Sequence, residues 1–184
     1  EEDISEVISG IRSDVVDASI DLYLPPLSLM EQWNIVGLEA HFMSEFNLEI
    51  QLQKWLEEED LLDEEKIRSR IQKKAQDAYD IKAAVIGNEI RVIERQVMLQ
   101  VLDTLWKEHL SRMDYLRQGI NLRAYAQKNP RQEYKRESFV LFQQMLENIK
   151  SETIHFLSKA EVRDRAEIEQ IERTKMEAQQ RQKL

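Results

Sequence analysis

The sequence predicts an all-α protein, and three observations support this. Only 4 glycines and 3 prolines interrupt the 184 residues, and charged residues make up 33% of the chain. Apolar residues recur at steps of three and four along most long segments, which is the spacing of one face of an α-helix. No segment of comparable length alternates apolar and polar residues as a half-buried strand would. We therefore expect helices that pack against helices.

The first predicted helix covers residues 4–22 and carries a single apolar stripe. Its members recur at steps of 4, 3, 4, 3 and 4: Ile4, Ile8, Ile11, Val15, Ala18 and Leu22. Pro25 and Pro26 follow this segment. Because proline donates no backbone hydrogen bond and disfavours the α conformation of the residue before it, we expect the helix to end near Leu24.

Polar residues mark the ends of the next short helices. Ser28 and Glu31 have the spacing of a capping box, in which each side chain satisfies a backbone amide at a helix start. Asn34 is the predicted cap of a second helix that stops at Asn47. Three apolar residues then alternate with polar ones, which indicates either a short strand or a buried connector: Leu48, Ile50 and Leu52.

A longer helix is predicted after the acidic run at residues 57–60. Asp63 can cap this helix, and acidic residues in its first turn suit the positive end of the helix dipole. Its apolar residues lead toward Gly87: Ile67, Ile71, Ala75, Ala78 and Val85. Since glycine costs about 1 kcal/mol in a helix interior relative to alanine, Gly87 predicts a bend or a boundary, and we divide the chain there.

Residues 97–142 predict a hairpin of two amphipathic helices. The stripe of the first helix contains Met98, Leu102, Leu105, His109, Met113, Leu116 and Ile120, and Trp106 widens it. The stripe of the second contains Phe139, Phe142, Leu146, Ile149, Thr153 and Phe156. This spacing lets antiparallel helices pack along a continuous seam. Asn129 is the predicted cap of the second helix, and Pro130 suits its first position.

The hairpin has a basic tip with an aromatic residue, Tyr125, in the middle of its loop. Between positions 112 and 136 there are seven basic residues and two acidic ones. In contrast, residues 1–64 carry 17 acidic and 2 basic side chains. From these residues alone the tip suits a polypeptide, an anionic lipid surface or a nucleic acid, although the acidic half would repel a polyanion.

Several classes of function find no support in the sequence. It contains no cysteine, no Gly-rich phosphate loop, no HExxH motif and no nucleophile elbow. His109 lies on the apolar stripe, which favours a hydrogen-bonded core residue over a catalytic base. Glu152 and His155 have one Glu-x-x-His spacing, but a carboxylate-bridged metal bundle needs two. No secretory signal and no run of about 18 apolar residues is present.

The hairpin and the segments before it resemble the SecA family of bacterial preprotein translocase ATPases. The motifs DTLWKEHL, MDYLRQGI, LRAYAQK and QEYKRESF follow the family pattern in order, and IDLYLPP and WLEEE match its wing. The resemblance covers about residues 4–160. It implies an all-α fold: a small helical wing domain at residues 1–86, then long helices of the helical scaffold, with an antiparallel two-helix finger, at 87–160. Residues 161–184 would form a polar helix or linker tail.

The resemblance also implies a function for the tip. In this family the finger contacts the translocating polypeptide and the mouth of the SecYEG channel and regulates the motor ATPase, and a bulky residue such as tyrosine occupies the tip. Tyr125 stands at that position, with Leu122, Arg123, Ala124, Gln127 and Lys128 as loop neighbours. The basic flank of the finger comprises Arg112, Arg117, Arg131, Lys135 and Arg136.

The family's two nucleotide-binding domains have no counterpart in the chain, so the resemblance implies a C-terminal fragment. We expect no enzyme activity, no catalytic residue, no metal and no cofactor in it, with ATP and magnesium bound by the parent's motor domains. The implied partners are SecYEG, unfolded preprotein, the remaining motor domains and anionic lipid, at the cytoplasmic face of the bacterial plasma membrane. An exposed groove would favour a homodimer. The alternative function is a stand-alone helical interaction module that binds a protein, anionic lipid or nucleic acid through the basic tip.

Overall fold

The computed structural model describes residues 4–59, 62–120 and 129–160. Within these ranges the regular structure is entirely helical, and it contains six α-helices. They are α1 (Ile4–Tyr23), α2 (Ile35–Phe46), α3 (Leu52–Glu58), α4 (Glu64–Ile86), α5 (Ile90–Gly119) and α6 (Pro130–Lys159). Single turns of 3₁₀ helix lie at Met30–Gln32 and Gly87–Glu89. The all-α prediction is confirmed, while the tail at 161–184 lies outside the described residues.

The predicted helix starts at three polar caps are confirmed. Each cap side chain accepts a hydrogen bond from a backbone amide two or three residues later, which satisfies a donor that has no partner inside the helix. The bonds run from Gly37 to Asn34 (2.9 Å), from Lys66 to Asp63 (2.9 Å) and from Arg131 to Asn129 (3.0 Å). Asn47 ends α2 in the left-handed conformation with φ of 51°, as expected for a C-cap.

The predicted capping box at Ser28 and Glu31 is wrong. The Ser28 hydroxyl accepts a hydrogen bond from the indole Nε1 of Trp33 at 3.0 Å. The amide of Leu29 donates to the side chain of Gln32 at 3.3 Å, so the short 3₁₀ turn begins one residue later than predicted. The Ser28 hydroxyl is thus bonded to the half-buried ring of Trp33 and does not cap the turn.

The apolar residues after α2 form a buried connector and no strand. Leu48 and Ile50 are 8% and 3% exposed, and Leu52 starts α3. The connector lies in the first of two main cores, which we call the wing core and which α1 to α4 enclose. Its buried members are Val16, Ile20, Leu24, Leu38, Phe42, Leu48, Ile50, Leu52, Leu62, Ile67, Ile71 and Ala75.

A second core joins α1 and α4 to the ends of α5 and α6 that lie away from the loop. Its buried members, which we call the root core, are Ile8, Tyr79, Ile90, Ile154 and Leu157. On α4 the predicted stripe is correct as far as Ala75 and then wrong, because Tyr79 is buried whereas Val85 is 65% exposed. Each step of four residues in a helix turns the stripe by about 40°, so the buried face drifts around α4.

Gly87 interrupts the chain between α4 and α5. Its φ of 72° lies in the left-handed region, which only glycine adopts readily, and one 3₁₀ turn follows before α5 begins. The predicted break at Gly87 is confirmed. The division of the chain into domains at this point stays a prediction.

Helices α5 and α6 form the predicted antiparallel hairpin. Each contains 30 residues and therefore extends about 45 Å at 1.5 Å per residue. Their seam is built on Val101, Leu105 and Met145, and Val97, Leu146 and Ile149 pack against it. No helix in the described ranges has the length and hydropathy that a membrane crossing requires.

The predicted seam residues are only partly correct. Leu105, His109, Leu116, Ile120 and Thr153 are buried, as predicted. Five other members of the predicted stripes have substantial exposure: Leu102 (41%), Trp106 (43%), Phe139 (63%), Phe142 (39%) and Phe156 (52%). Val101, Met145, Ile154 and Leu157 are buried in their place. A shift of one residue turns a side chain by about 100°, which moves it from the seam to the flank.

Phe42 is fully buried and stacks on Phe46 with ring centroids 4.8 Å apart. We expect Phe42→Ala to lower the free energy of unfolding by about 3–5 kcal/mol, because it removes apolar contacts and leaves a cavity. Urea unfolding followed by circular dichroism measures this change. Val36→Ala, on the same helix at a side chain 69% exposed, is the control and should change stability little. Equal unfolding midpoints for the two variants would contradict the assignment of Phe42 to the core.

Candidate functional site

The candidate site is the loop end of the hairpin, where α5 ends and α6 begins. Because the helices are antiparallel, the last turns of α5 lie beside the first turns of α6. The six residues predicted for the tip lie outside the described residues: Leu122, Arg123, Ala124, Tyr125, Gln127 and Lys128. Their proposed contacts therefore stay predictions, and the described part of the site is its flank.

The predicted basic flank is exposed on both helices at this end. Its members are Arg112, Arg117, Arg131, Lys135 and Arg136. Three of them contact a carboxylate one turn away on the same helix: Arg112 with Glu108 (3.8 Å), Arg117 with Asp114 (3.1 Å) and Arg136 with Glu133 (3.2 Å). Exposed pairs such as those of Arg112 and Arg117 contribute little to stability. The guanidinium groups can therefore exchange these partners for other anions.

An aromatic patch adjoins the basic flank on α6. Phe139 and Phe142 line a shallow open depression together with Lys135 and Arg136. The sequence prediction missed this patch because it assigned both phenylalanines to the seam. Basic and apolar groups on one surface suit a partner that offers acidic and apolar groups together.

His109 lies inside the hairpin between two aromatic rings. Its centroid is 5.7 Å from that of Trp106 and 5.9 Å from that of Phe142. The prediction of a core residue is confirmed, since the side chain is 8% exposed. The predicted hydrogen bonding is not seen at Nδ1, which has no partner among the described residues. Packing, more than hydrogen bonding, holds this ring.

A buried polar network lies at the opposite end of the hairpin, which we call its root. Glu94 on α5 is fully buried and accepts a hydrogen bond from the Tyr79 hydroxyl at 2.5 Å. Arg91 donates to both carboxylate oxygens of Glu94 at 2.8 and 2.7 Å. Burial raises the pKa of Tyr79, and the bond to Glu94 raises it further. The phenol therefore remains a proton donor at any physiological pH.

Arg12 extends the root network to α1. Its guanidinium carbon lies 3.6 Å from the centroid of the Tyr79 ring, a cation–π contact, and its Nη1 donates to Gln76 at 3.3 Å. Burial lowers the pKa of Arg12. The sequence prediction missed this network. One signal was available, because Glu94 lies four residues after Ile90 and three before Val97 on the apolar side of α5.

Lys82 binds the end of the second hairpin helix. Its Nζ donates to the backbone carbonyls of Leu157 at 3.0 Å and Ser158 at 2.5 Å. These carbonyls belong to the last turn of α6, which has no helical donors for them, and a lysine there also suits the helix dipole. Burial lowers the pKa of Lys82.

Two ion pairs tie the side of α6 to the wing. Lys150 contacts Asp14 at 3.0 Å, and His155 Nδ1 contacts Glu45 at 2.6 Å. His155, which the sequence pairs with Glu152 in a Glu-x-x-His spacing, thus faces a single carboxylate on α2. Within the ranges that the structure describes, no three acidic or histidine side chains are grouped to hold a metal.

The pair of Glu45 and His155 predicts a pH dependence. Burial alone would raise the pKa of Glu45, but His155 outweighs it and the pKa is lowered. The stabilisation is therefore present above the ordinary glutamate pKa of about 4.3 and is lost as the pH falls through the lower value of the folded state. We expect Glu45→Gln to lower the melting temperature at about pH 5.5, where a carboxylate and an imidazolium coexist at their ordinary pKa values of about 4.3 and 6.5, and to match the parent chain in strong acid.

Glu57→Gln is the matched control, because this exposed glutamate lies on α3. Its melting temperature should follow that of the parent at each pH. A difference between Glu45→Gln and the parent that persists unchanged below pH about 3 would contradict the role of the carboxylate charge.

A small helical unit that holds the root of a long antiparallel hairpin defines a wing-and-scaffold domain. The family model described as "SecA Wing and Scaffold domain" matches residues 1–161. The chain therefore belongs to the SecA family. It is 50% identical over 183 residues to the protein translocase subunit SecA of Cellvibrio japonicus (strain Ueda107), and all of the chain is covered. It is 49% identical over 180 residues, or 97% of the chain, to that of Pseudomonas putida (strain W619).

The chain spans about 20% of the length of these two relatives. The resemblance to the SecA family drawn from the motifs is confirmed. The activity of the whole relatives is therefore not assigned to this chain, and the role of its residues is taken up as a proposal.

Proposed function

We propose that the chain is the wing and scaffold part of a SecA motor that drives preproteins through the SecYEG channel. Its hairpin is the finger that contacts the translocating polypeptide at the channel mouth and regulates the motor ATPase. The observation that carries this proposal is the geometry of α5 and α6, two 30-residue helices joined along a seam and held at one end. The family membership of residues 1–161 supports it independently.

Stiffness supports the role of a finger. A long helix alone would bend under load, but two helices that bury a common seam resist bending together. The seam residues Val101, Leu105 and Met145 are at most 7% exposed. Force applied at the root can therefore reach the loop end.

Tyr125 is the proposed point of contact with the polypeptide. A tyrosine offers an apolar ring and a hydroxyl at low conformational cost, so it can contact almost any passing side chain or backbone group. Leu122, Arg123, Ala124, Gln127 and Lys128 would shape the loop around it. Such a contact suits a motor that must move unrelated sequences.

The basic flank would contact the channel and the membrane surface. Exposed Arg131 and Lys135 on α6 and the arginines of α5 suit acidic loops or anionic headgroups. The neighbouring patch of Phe139 and Phe142 would add apolar contact. The whole protein would then work at the cytoplasmic face of the plasma membrane, with ATP and magnesium bound by domains outside this chain.

The proposal predicts that Tyr125→Gly in the full-length motor uncouples ATP use from transport. The variant would lose the proposed contact of the Tyr125 ring with the polypeptide, so ATP hydrolysis should continue while preprotein transport into SecYEG vesicles falls at least severalfold. The ratio of phosphate released to preprotein protected from protease measures the effect. The matched control is Tyr115→Ala, at a tyrosine of α5 that is 81% exposed, and it is compared with Tyr125→Ala. Alanine is used for this comparison because glycine would destabilise α5 at position 115.

Wild-type transport by the Tyr125 variants would count strongly against the finger as the contact point. A loss of transport shared equally by Tyr115→Ala would indicate a general effect of the hairpin surface.

The second candidate is a stand-alone interaction module, which the exposed basic flank and adjoining aromatic patch favour. The two candidate functions differ in the partners that the 184-residue chain should bind. We expect the chain to bind purified SecYEG in a pull-down, to shift no nucleic acid at physiological salt, and to hydrolyse no ATP. Replacing the five flank residues by glutamine should weaken the SecYEG contact, because their positive charge supplies part of it.

A nucleic-acid shift with no binding of SecYEG would favour the module. ATP turnover that depends on this chain would contradict the assignment of nucleotide binding to other domains.

A further inference from the structure

We infer that one turn of α4, which carries Tyr79 and Lys82, is the joint that sets the direction of the hairpin relative to the wing. The two residues bind the roots of different hairpin helices: Tyr79 binds α5 through Glu94, and Lys82 binds α6 through its terminal carbonyls. The inference rests on the proposed function, since it concerns how the finger is positioned. Tyr79 and Lys82 are positioning residues and need not touch the polypeptide.

The spacing of Tyr79 and Lys82 makes one turn sufficient for both contacts. Residues three apart in a helix project from the same face, and here that face lies between the roots of α5 and α6. A movement of this turn along or around the axis of α4 must therefore displace both roots together or break the bonds. The apolar members of the root core surround the turn but do not impose this restriction.

Directional bonds set an angle that apolar packing leaves free. Burial of Ile90, Ile154 and Leu157 holds the roots against the wing, yet the hydrophobic effect is non-directional. A hydrogen bond loses strength steeply when its distance or angle changes. The bonds from Tyr79 and Lys82 therefore select one orientation among those that would bury the same apolar surface. The pairs of Lys150 with Asp14 and of His155 with Glu45 add to this selection for α6, whereas Tyr79 also fixes α5.

The buried charge of Glu94 makes the joint resistant to gradual slippage. The side chain is fully buried, so loss of the Tyr79 hydroxyl would leave the Glu94 carboxylate with one donor fewer in an apolar setting, which is unfavourable even though Arg91 stays bound to it. Arg91 lies on the same helix as Glu94 and moves with it, so their contact does not connect the hairpin to the wing. Tyr79 is thus the donor that links this charge to α4.

Arg12 braces the joint from α1. Its guanidinium covers the face of the Tyr79 ring, and Arg12 as a whole is 5% exposed. The ring is therefore held at its hydroxyl by α5 and across its face by α1. The joint connects both long helices of the wing to both helices of the hairpin.

Distance measurements between spin labels test the joint directly. The chain has no cysteine, so Val36→Cys on α2 and Gln118→Cys near the end of α5 introduce two unique, exposed label sites. We expect one narrow distance distribution in the parent, and a broader or shifted one after Tyr79→Phe or Lys82→Met. Tyr115→Phe, which removes an exposed hydroxyl from the hairpin itself, is the control and should leave the distribution narrow.

A distribution that stays as narrow in both joint variants as in the control would overturn the inference. Far-ultraviolet circular dichroism checks that each variant keeps its helices. If Lys82→Met fails to fold, Tyr79→Phe alone still decides the question, because it removes a single oxygen and keeps the ring.

Transport by the full-length motor tests the consequence. We expect Tyr79→Phe to raise the ATP consumed per preprotein translocated while the affinity for nucleotide is unchanged. Ile71→Val, a substitution in the wing core, controls for stability: it should lower the melting temperature without changing this ratio.

An unchanged ratio in Tyr79→Phe, alongside a changed ratio in Tyr125→Ala, would overturn the joint and leave the proposed function intact. Normal coupling in Tyr125→Ala would overturn the proposed function, and the spin-label distances would still decide the joint.

Discussion

The structure depends on α1 being shared between two cores. Val16 and Ile20 in its second half are fully buried in the wing core, whereas Ile8 in its first half is fully buried in the root core. The same helix packs against α2, α4, α5 and α6. One helix of 20 residues contributes side chains to both cores. Formation of either core therefore fixes the position of α1 in the other. The wing and the root of the hairpin are therefore energetically linked by ordinary apolar burial.

Charge is distributed so that the two parts attract each other. The acidic wing supplies Asp14 and Glu45, and α6 supplies Lys150 and His155, with which they pair. Inside the wing, Arg68 on α4 compensates part of the acidic excess. It contacts Asp17 (3.0 Å), Asp21 (2.6 Å) and Glu64 (2.9 Å), and these hydrogen bonds raise its pKa although burial opposes them. One guanidinium thus joins α1 to α4 where like charges would otherwise repel.

The helix caps could be predicted from the sequence because they depend on local chemistry. The residues that each helix buries could not, because several faces of the helix are apolar. The caps at Asn34, Asp63 and Asn129 depend on a few neighbouring atoms, so their residue types were sufficient. On α5, by contrast, apolar residues cover more than half of the circumference. Val101 and Leu102 are both apolar, and only packing against α6 decides that Val101 is buried. The exposed aromatic patch was missed for the same reason.

The polar root escaped prediction for a different physical reason. The position of Glu94 on an apolar face signals a buried polar group. The sequence does not show that Tyr79, 15 residues away, is its donor or that Arg12 packs against the Tyr79 ring. Of the candidate site, the sequence could predict the hairpin, its basic flank and its cap. The resemblance supplied the role of Tyr125, which composition and spacing alone left open among three kinds of partner.

The length of the hairpin amplifies small movements at its root. The helices extend about 45 Å from one end to the other, and the bonds of Tyr79 and Lys82 lie at one end only. By simple geometry, a rotation of about 5° there would displace the far end by about 4 Å, roughly the advance of one residue along an extended chain. By the same geometry, an angular error of about 1° at the root would displace the far end by about 0.8 Å. Angular precision at the root is thus a requirement for contact at the tip.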